Sequence, residues 1–103
     1  MAQMGRPAEA ESLYEGALRI DPDDRDTREN LLQVRAVRLI LLGDDHWKAG
    51  RRVRTIEAYR GALGALEEVL RLDPDNRWAR ANMERIRRAI EHPPLDSTVA
   101  PGK

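Results

Sequence analysis

"LRIDPDD" (Leu18–Asp24) decides how this chain is built, because "LRLDPDN" (Leu70–Asn76) repeats it at an offset of 52 residues, counted from Leu18 to Leu70. Pro22 and Pro74 each lack a backbone N–H and drive the preceding Asp out of helical geometry, so each ends an apolar helical run. The carboxylates that follow Pro22, at Asp23, Asp24 and Asp26, supply capping oxygens and negative charge for the start of another helix. The identities extend outward from the turn. Glu15 aligns with Glu67, Arg19 with Arg71, Arg25 with Arg77, Arg28 with Arg80, Asn30 with Asn82, and Arg35 with Arg87. Matches that run from the end of one helix through a turn into the next describe a repeated supersecondary unit.

Working outward, Pro7 followed by Glu9 and Glu11 marks a helix start. Ala10, Leu13, Tyr14, Ala17 and Leu18 then keep the spacing of one buried stripe up to Ile20. A second helix is expected from about Arg25 to Leu42, with Leu31, Val34, Val37 and Ile40/Leu41 as its apolar positions and Gly43-Asp44-Asp45 as its break. The stretch His46–Leu72 has no Pro and holds the helical period through Val53, Ile56, Tyr59/Arg60, Leu63, Leu66, Val69 and Leu70. Gly61 and Gly64 cost it about 1 kcal/mol each in helix propensity relative to Ala, which suggests close approach of another helix. A fourth helix is expected over Arg77–Glu91 with Met83, Ile86 and Ile90 inward. The Pro-rich end "HPPLDSTVAPGK" is expected to be a disordered tail. The fold class is therefore all-α, about four helices over residues 1–91 followed by the tail 92–103.

Composition narrows the function classes. Charged residues make up 35% of the 103-residue chain and aromatics 4%, with no Phe, so the core must be aliphatic, which suits packed helices. The 18 basic and 18 acidic side chains cancel, which gives no case for nucleic acid. Residues 1–45 carry six basic and ten acidic groups and the remainder twelve and eight, about −4 against +4, a polarity that favours head-to-tail contacts or a polarised partner. The absence of Cys excludes disulfides, thiolate metal sites and thiol catalysis, and agrees with a cytoplasmic location. The N-terminus lacks the basic-then-apolar pattern of a signal peptide, and the apolar run Leu39–Leu42 is far too short to span a bilayer.

The segment "GRPAEAESLYEGALRIDPDD" resembles the second helix and closing turn of a tetratricopeptide (TPR) repeat. Gly5 stands at the turn between paired helices, Ala10 and Ala17 at the small crossing positions, Tyr14 at the large packing position and Pro22 at the close. "ALEEVLRLDPDN" resembles the same segment, with Val69 in place of the second small Ala. The resemblance implies antiparallel helical hairpins of an α-solenoid that binds another protein. It also exposes departures. A TPR spans about 34 residues, so an offset of 52 leaves about 18 extra, or about five helical turns, between Val37 and Tyr59. The middle hairpin should be elongated and project from the stack. "MAQMG" matches only the tail of a first helix, and Arg77–Glu91 resembles a first helix without its second. Each unpaired helix would leave an apolar face in water, so another protein or a second copy is expected to cover the open ends.

No catalytic, metal or cofactor constellation emerges. A calcium loop starting at Asp21 would need Gly at its sixth position and Glu at its twelfth, where Asp26 and Leu32 stand; helix capping explains the acids better. His46 and His92 have no spaced ligand partner and read as surface residues. Ser12, Ser97, Thr27, Thr55 and Thr98 lie in no nucleophile elbow, and no phosphate-cradling loop is present. The resemblance places Asp26, Glu29, Asn30 and Gln33, with Trp78, Ala81, Asn82 and Arg85 in the second copy, on the inner face of a peptide groove. Asn30 and Asn82 resemble asparagines that bind peptide backbones there. "HWKAGRRVR" (His46–Arg54) adds Trp47 beside Arg51 and Arg52. It reads as a Trp folded onto its own hairpin with solvated basic neighbours, as an exposed contact for an acidic protein, or as a membrane-surface anchor through Lys48–Arg54.

Overall fold

The computed structural model describes residues 7–92. Four helices, α1 (Pro7–Ile20), α2 (Arg25–Lys48), α3 (Arg52–Leu72) and α4 (Arg77–Glu91), pack each against the next, and no strand occurs among the described residues. The expectations for Gly5, for "MAQMG" and for residues 93–103 fall outside the described range.

The doubled Asp-Pro turn is repeated in its bonding as well as in its letters. After Pro22, the Asp23 N–H donates to Asp21 Oδ1 at 3.3 Å, and after Pro74 the Asp75 N–H donates to Asp73 Oδ1 at 3.2 Å. Asp24 caps α2 by accepting from the Thr27 N–H at 3.1 Å, and Asn76 caps α4 by accepting from the Ala79 N–H at 2.9 Å. Arg28 reaches back to the Pro22 carbonyl at 2.5 Å, and Arg80 to the Pro74 carbonyl at 3.1 Å. Two unlike caps, a carboxylate and an amide, thus satisfy the same orphan donors.

The middle turn lies elsewhere than the sequence suggests. Gly43-Asp44-Asp45 does not break α2, which runs on to Lys48, and α3 starts at Arg52 rather than His46. Gly43 is buried against the Tyr59 ring, where a Cβ would fall closer than 3.0 Å, so its small size admits α3 instead of ending α2. The true stop is Gly50, the one described residue with φ in the left-handed region, at 76°. Its N–H donates to the Trp47 carbonyl at 3.0 Å and the Arg51 N–H to the His46 carbonyl at 2.9 Å, the paired bonds of a Schellman motif.

The core sits along the α2–α3 hairpin and under α4. Ala36, Leu66, Val69, Ala79 and Met83 form one buried cluster, flanked by Leu32, Leu63, Ala65 and Leu70. Nearer the hairpin tip, Ile40, Tyr59, Ala62 and Ile86 form a second, joined by Leu39, Trp47, Ala89 and Ile90. Small residues at 36, 58, 62 and 79 let the helices approach, as Ala and Gly do wherever helix axes close up. A Cβ placed on Gly61 would come within 3.1 Å of Leu39 Cδ1, but one placed on Gly64 would meet nothing within 4 Å, so only one of those two glycines marks a close approach. The extra length of α2 and α3 does not stand clear on both sides. The last turns of α4 lie against the hairpin tip through Ile86 and Ile90, and α1 is held near the middle of α2 by ion pairs from Glu11 to Arg35 and Arg38.

Candidate partner-binding site

Three surfaces bear on binding. The first is the outer face of α1. The sequence stripe Ala10, Leu13, Tyr14, Ala17, Leu18 is split by the fold: Tyr14 and Leu18 are half-buried, whereas Leu13 is 74% exposed and Ala17 is exposed. Ile20, at 87% exposure, extends them into the spacing i, i+4, i+7, one continuous apolar stripe. What faces α2 instead is partly polar: Arg35 donates to Glu11 at 3.0 Å and to Glu15 at 2.9 Å, and Arg38 to Glu11 at 2.9 Å. Burial pushes the Glu11 pKa up, but the hydrogen bonds and charges of Arg38 and Arg35 outweigh it, and the net shift is downward. Arg35 is pushed up, chiefly by its bond to Glu15 and against its partial burial.

The opposite end of the molecule differs from expectation. α4 leaves no apolar stripe in water, because Ala79, Met83 and Ile86 are buried while Ala89 and Ile90 are half-buried. Its exposed residues are Arg77, Trp78, Arg80, Ala81, Glu84, Arg85, Arg87, Arg88 and Glu91, a mostly charged face with one large apolar side chain, Trp78. Among the described residues, the apolar stripe left in water at an end of the helix array is therefore that of α1.

The second surface is shared by α2 and α4, which run parallel. Asp26 and Asn30 are exposed on α2 and Gln33 is half-buried there. Glu29 accepts from Asn76 Nδ2 at 2.8 Å, a bridge to the start of α4. Trp78 is 38% exposed, and Asn82 turns its Nδ2 to the Trp78 carbonyl at 2.9 Å, within its own helix. Asn30 and Asn82 therefore do not form a matched pair: one is exposed, the other half-buried with an amide donor spent on α4.

The third surface is the hairpin tip. Trp47 is half-buried, tilted 55° to Tyr59 with ring centroids 6.3 Å apart, so part of its ring packs on its own hairpin. Arg51 and Arg52 are exposed, Arg51 with a guanidinium nitrogen 3.3 Å from His46 Nδ1, and Val53 beside them is 69% exposed. Tyr59 donates its hydroxyl to Asp44 at 2.5 Å, and Arg85 approaches the same Asp44 oxygen at 3.4 Å. Burial, with the Asp44 bond and charge, pushes the Tyr59 pKa far above its ordinary value. A cleft of about 660 Å³ opens here between Asp44, Trp47 and Lys48 of α2, Tyr59 of α3, and the last turns of α4.

Of the residues marked by sequence, Trp47 and Arg85 meet in this cleft, while Asp26, Glu29 and Asn30 lie at the other end of α2. Sequence reasoning missed Asp44, Tyr59, Arg88, Ala89 and His92 as cleft residues. Their signal was the helical spacing Asp44/Trp47/Lys48 against Arg85/Arg88/His92, which needed the parallel pairing of α2 with α4 to be read. Among the described residues no group of three metal-ligating side chains occurs and no helix is long and apolar enough to cross a membrane. Comparisons of the chain with protein-family models, curated proteins and solved structures found no match.

Proposed function

We propose that this chain is a non-catalytic, TPR-like scaffold module that holds another protein by giving a partner helix the open face of α1. The observation that carries this is the fate of equivalent positions. At the offset of 52, Leu13, Ala17 and Ile20 correspond to Ala65, Val69 and Leu72. Val69 is fully buried and Ala65 packs on the cluster that Ala36 and Leu32 of α2 enter, while Leu72 is half-buried. Those sites on α3 are covered; their counterparts on α1 are bare. An amphipathic helix set on α1 as α2 is set on α3 would complete a hairpin in trans, burying apolar area at about 25 cal/mol per Å². The polar outer face of α4 supports a one-ended contact rather than a head-to-tail chain of copies.

The test uses the lack of native Cys. A single Ala17→Cys carries a photo-crosslinker in native extract, and the crosslinked site is read by mass spectrometry. The reading stands if the label lands on an amphipathic helix of another protein and capture is lost in Leu13→Glu/Ile20→Glu. A label on a second copy, with a dimer by light scattering, replaces the partner with self-association. A dilute monomer whose crosslinks ignore the double variant overturns it. The alternative, a peripheral membrane anchor, would need Trp47 to leave Tyr59, and no contact of Trp47 supports that.

A further inference from the structure

We propose that the cleft at the hairpin tip binds a small amphiphilic carboxylate, an aromatic or aliphatic body carrying one negative charge. The cleft owes its existence to three small or flat features. Gly43 lets the Tyr59 ring lie against α2, Trp47 tilts over that ring, and Ala89 on α4 leaves the opposite wall short. Its floor is apolar: the half-buried Trp47 lies over Tyr59, which is itself 2% exposed with its hydroxyl committed to Asp44. A volume of about 660 Å³ is within the range of small-ligand sites.

The rim is cationic. Among the Asp, Glu, Lys and Arg side chains that line the cleft, Lys48, Arg85 and Arg88 stand against Asp44, three positive charges less one negative, or +2. Asp44 is already engaged by Tyr59 and Arg85, so it offers no free anchor for a cation. The C-terminal ends of α2 and α4 both point here and subtract about half a charge each at most. The balance stays positive by about one charge, which matches a carboxylate. Inorganic phosphate could meet the same cations but has no apolar body to cover the walls that Trp47, Tyr59 and Ala89 provide. Arg88 can turn inward, because its ion pair among the described residues is a 3.7 Å contact to Glu84 in which both side chains are mostly solvated.

The experiment uses Trp78→Phe, which leaves Trp47 as the one fluorophore of its kind on the cleft floor. The chain is titrated with 4-phenylbutyrate, and with 4-phenylbutanol, 4-phenylbutylamine and inorganic phosphate as controls. Saturable change of Trp47 emission is expected with the carboxylate, weaker by about tenfold or more with the alcohol and amine, and absent with phosphate. Lys48→Glu/Arg88→Glu, two exposed positions, should weaken phenylbutyrate by about tenfold or more while lowering the thermal melt only by several degrees, the cost of negative charge at two helix C-termini. An acetylated dipeptide ending in Phe distinguishes sources: tighter binding than phenylbutyrate assigns the cleft to a peptide terminus, and equal or weaker binding assigns it to a free metabolite. Equal affinity for acid and alcohol, an unmoved charge-reversal variant, or no saturable response overturns the proposal.

Discussion

Gly43 on α2 and Tyr59 on α3 are in direct contact, with no room between them for a methyl group. Tyr59 is buried and its hydroxyl is tied to Asp44, so the ring cannot swing aside. Gly43→Ala gains about 1 kcal/mol of helix propensity but overpacks the hairpin by about 1–3 kcal/mol, and the clash wins. A lowered melting temperature is expected. Gly64→Ala, with nothing within 4 Å of the new methyl, should instead raise it by several degrees. Equal shifts for both variants would contradict the contact.

That contact also shows where the sequence could and could not be read. The Asp-Pro turns were legible because everything that makes them is local: a proline, a side-chain cap and an arginine reaching back a few residues. The middle turn was not. Gly43-Asp44-Asp45 carries a helix-stopping composition, yet burial of Tyr59 against Gly43 is a tertiary gain that local propensity does not contain. The apolar stripe of α1 was visible as a stripe, but which half meets α2 depends on Arg35 and Arg38 drawing Glu11 and Glu15 inward. The cleft needed the parallel alignment of α2 and α4, which no single segment encodes.

Gly50 supplies the next prediction. Its φ of 76° suits glycine and is costly for a residue with a Cβ. Gly50→Ala should destabilise by about 1–2 kcal/mol, and Gly50→Asn by less, because Asn tolerates this region better. Urea unfolding of the two variants checks the order; Ala at or above Asn would refute the left-handed turn.

Acid should weaken the fold through two carboxylates. The Asp24 pKa is lowered by the Thr27 backbone hydrogen bond, then by its side chain, and Glu11 is lowered because Arg38 and Arg35 overcome burial. A lowered folded-state pKa means the stabilisation is complete above the unfolded value, about 4, and fades as pH falls through the lower folded value. Asp24→Asn/Glu11→Gln should therefore flatten the loss of stability between about pH 5 and pH 2, measured by denaturant unfolding across that range.

Tyr59 makes the opposite prediction at alkaline pH. Burial first, and Asp44 second, raise its pKa, so its contribution is whole below the unfolded value of about 10 and is lost as pH rises toward the higher folded value. Tyr59→Phe removes that alkaline loss. It also gives up the hydrogen bond to a carboxylate, at a cost of about 1.5–3 kcal/mol near neutral pH. Thermal melts at pH 7 and pH 11 should show the variant less stable at the first and less pH-sensitive between the two.

Leu13 and Leu66 separate the surface that binds from the core that folds. Leu66 is fully buried in the cluster shared by α2, α3 and α4, and Leu66→Ala should cost about 2–5 kcal/mol. Leu13 is 74% exposed, so Leu13→Ser should stay within about 0.5 kcal/mol of the parent chain alone. A partner helix on α1 changes that comparison. In its presence the parent gains stability by mass action and Leu13→Ser gains less, while a Leu66→Ala chain that still folds gains as much as the parent. A large loss in isolated Leu13→Ser would mean that α1 already spends this face on its own fold, and the docking surface would have to be sought at the hairpin tip instead.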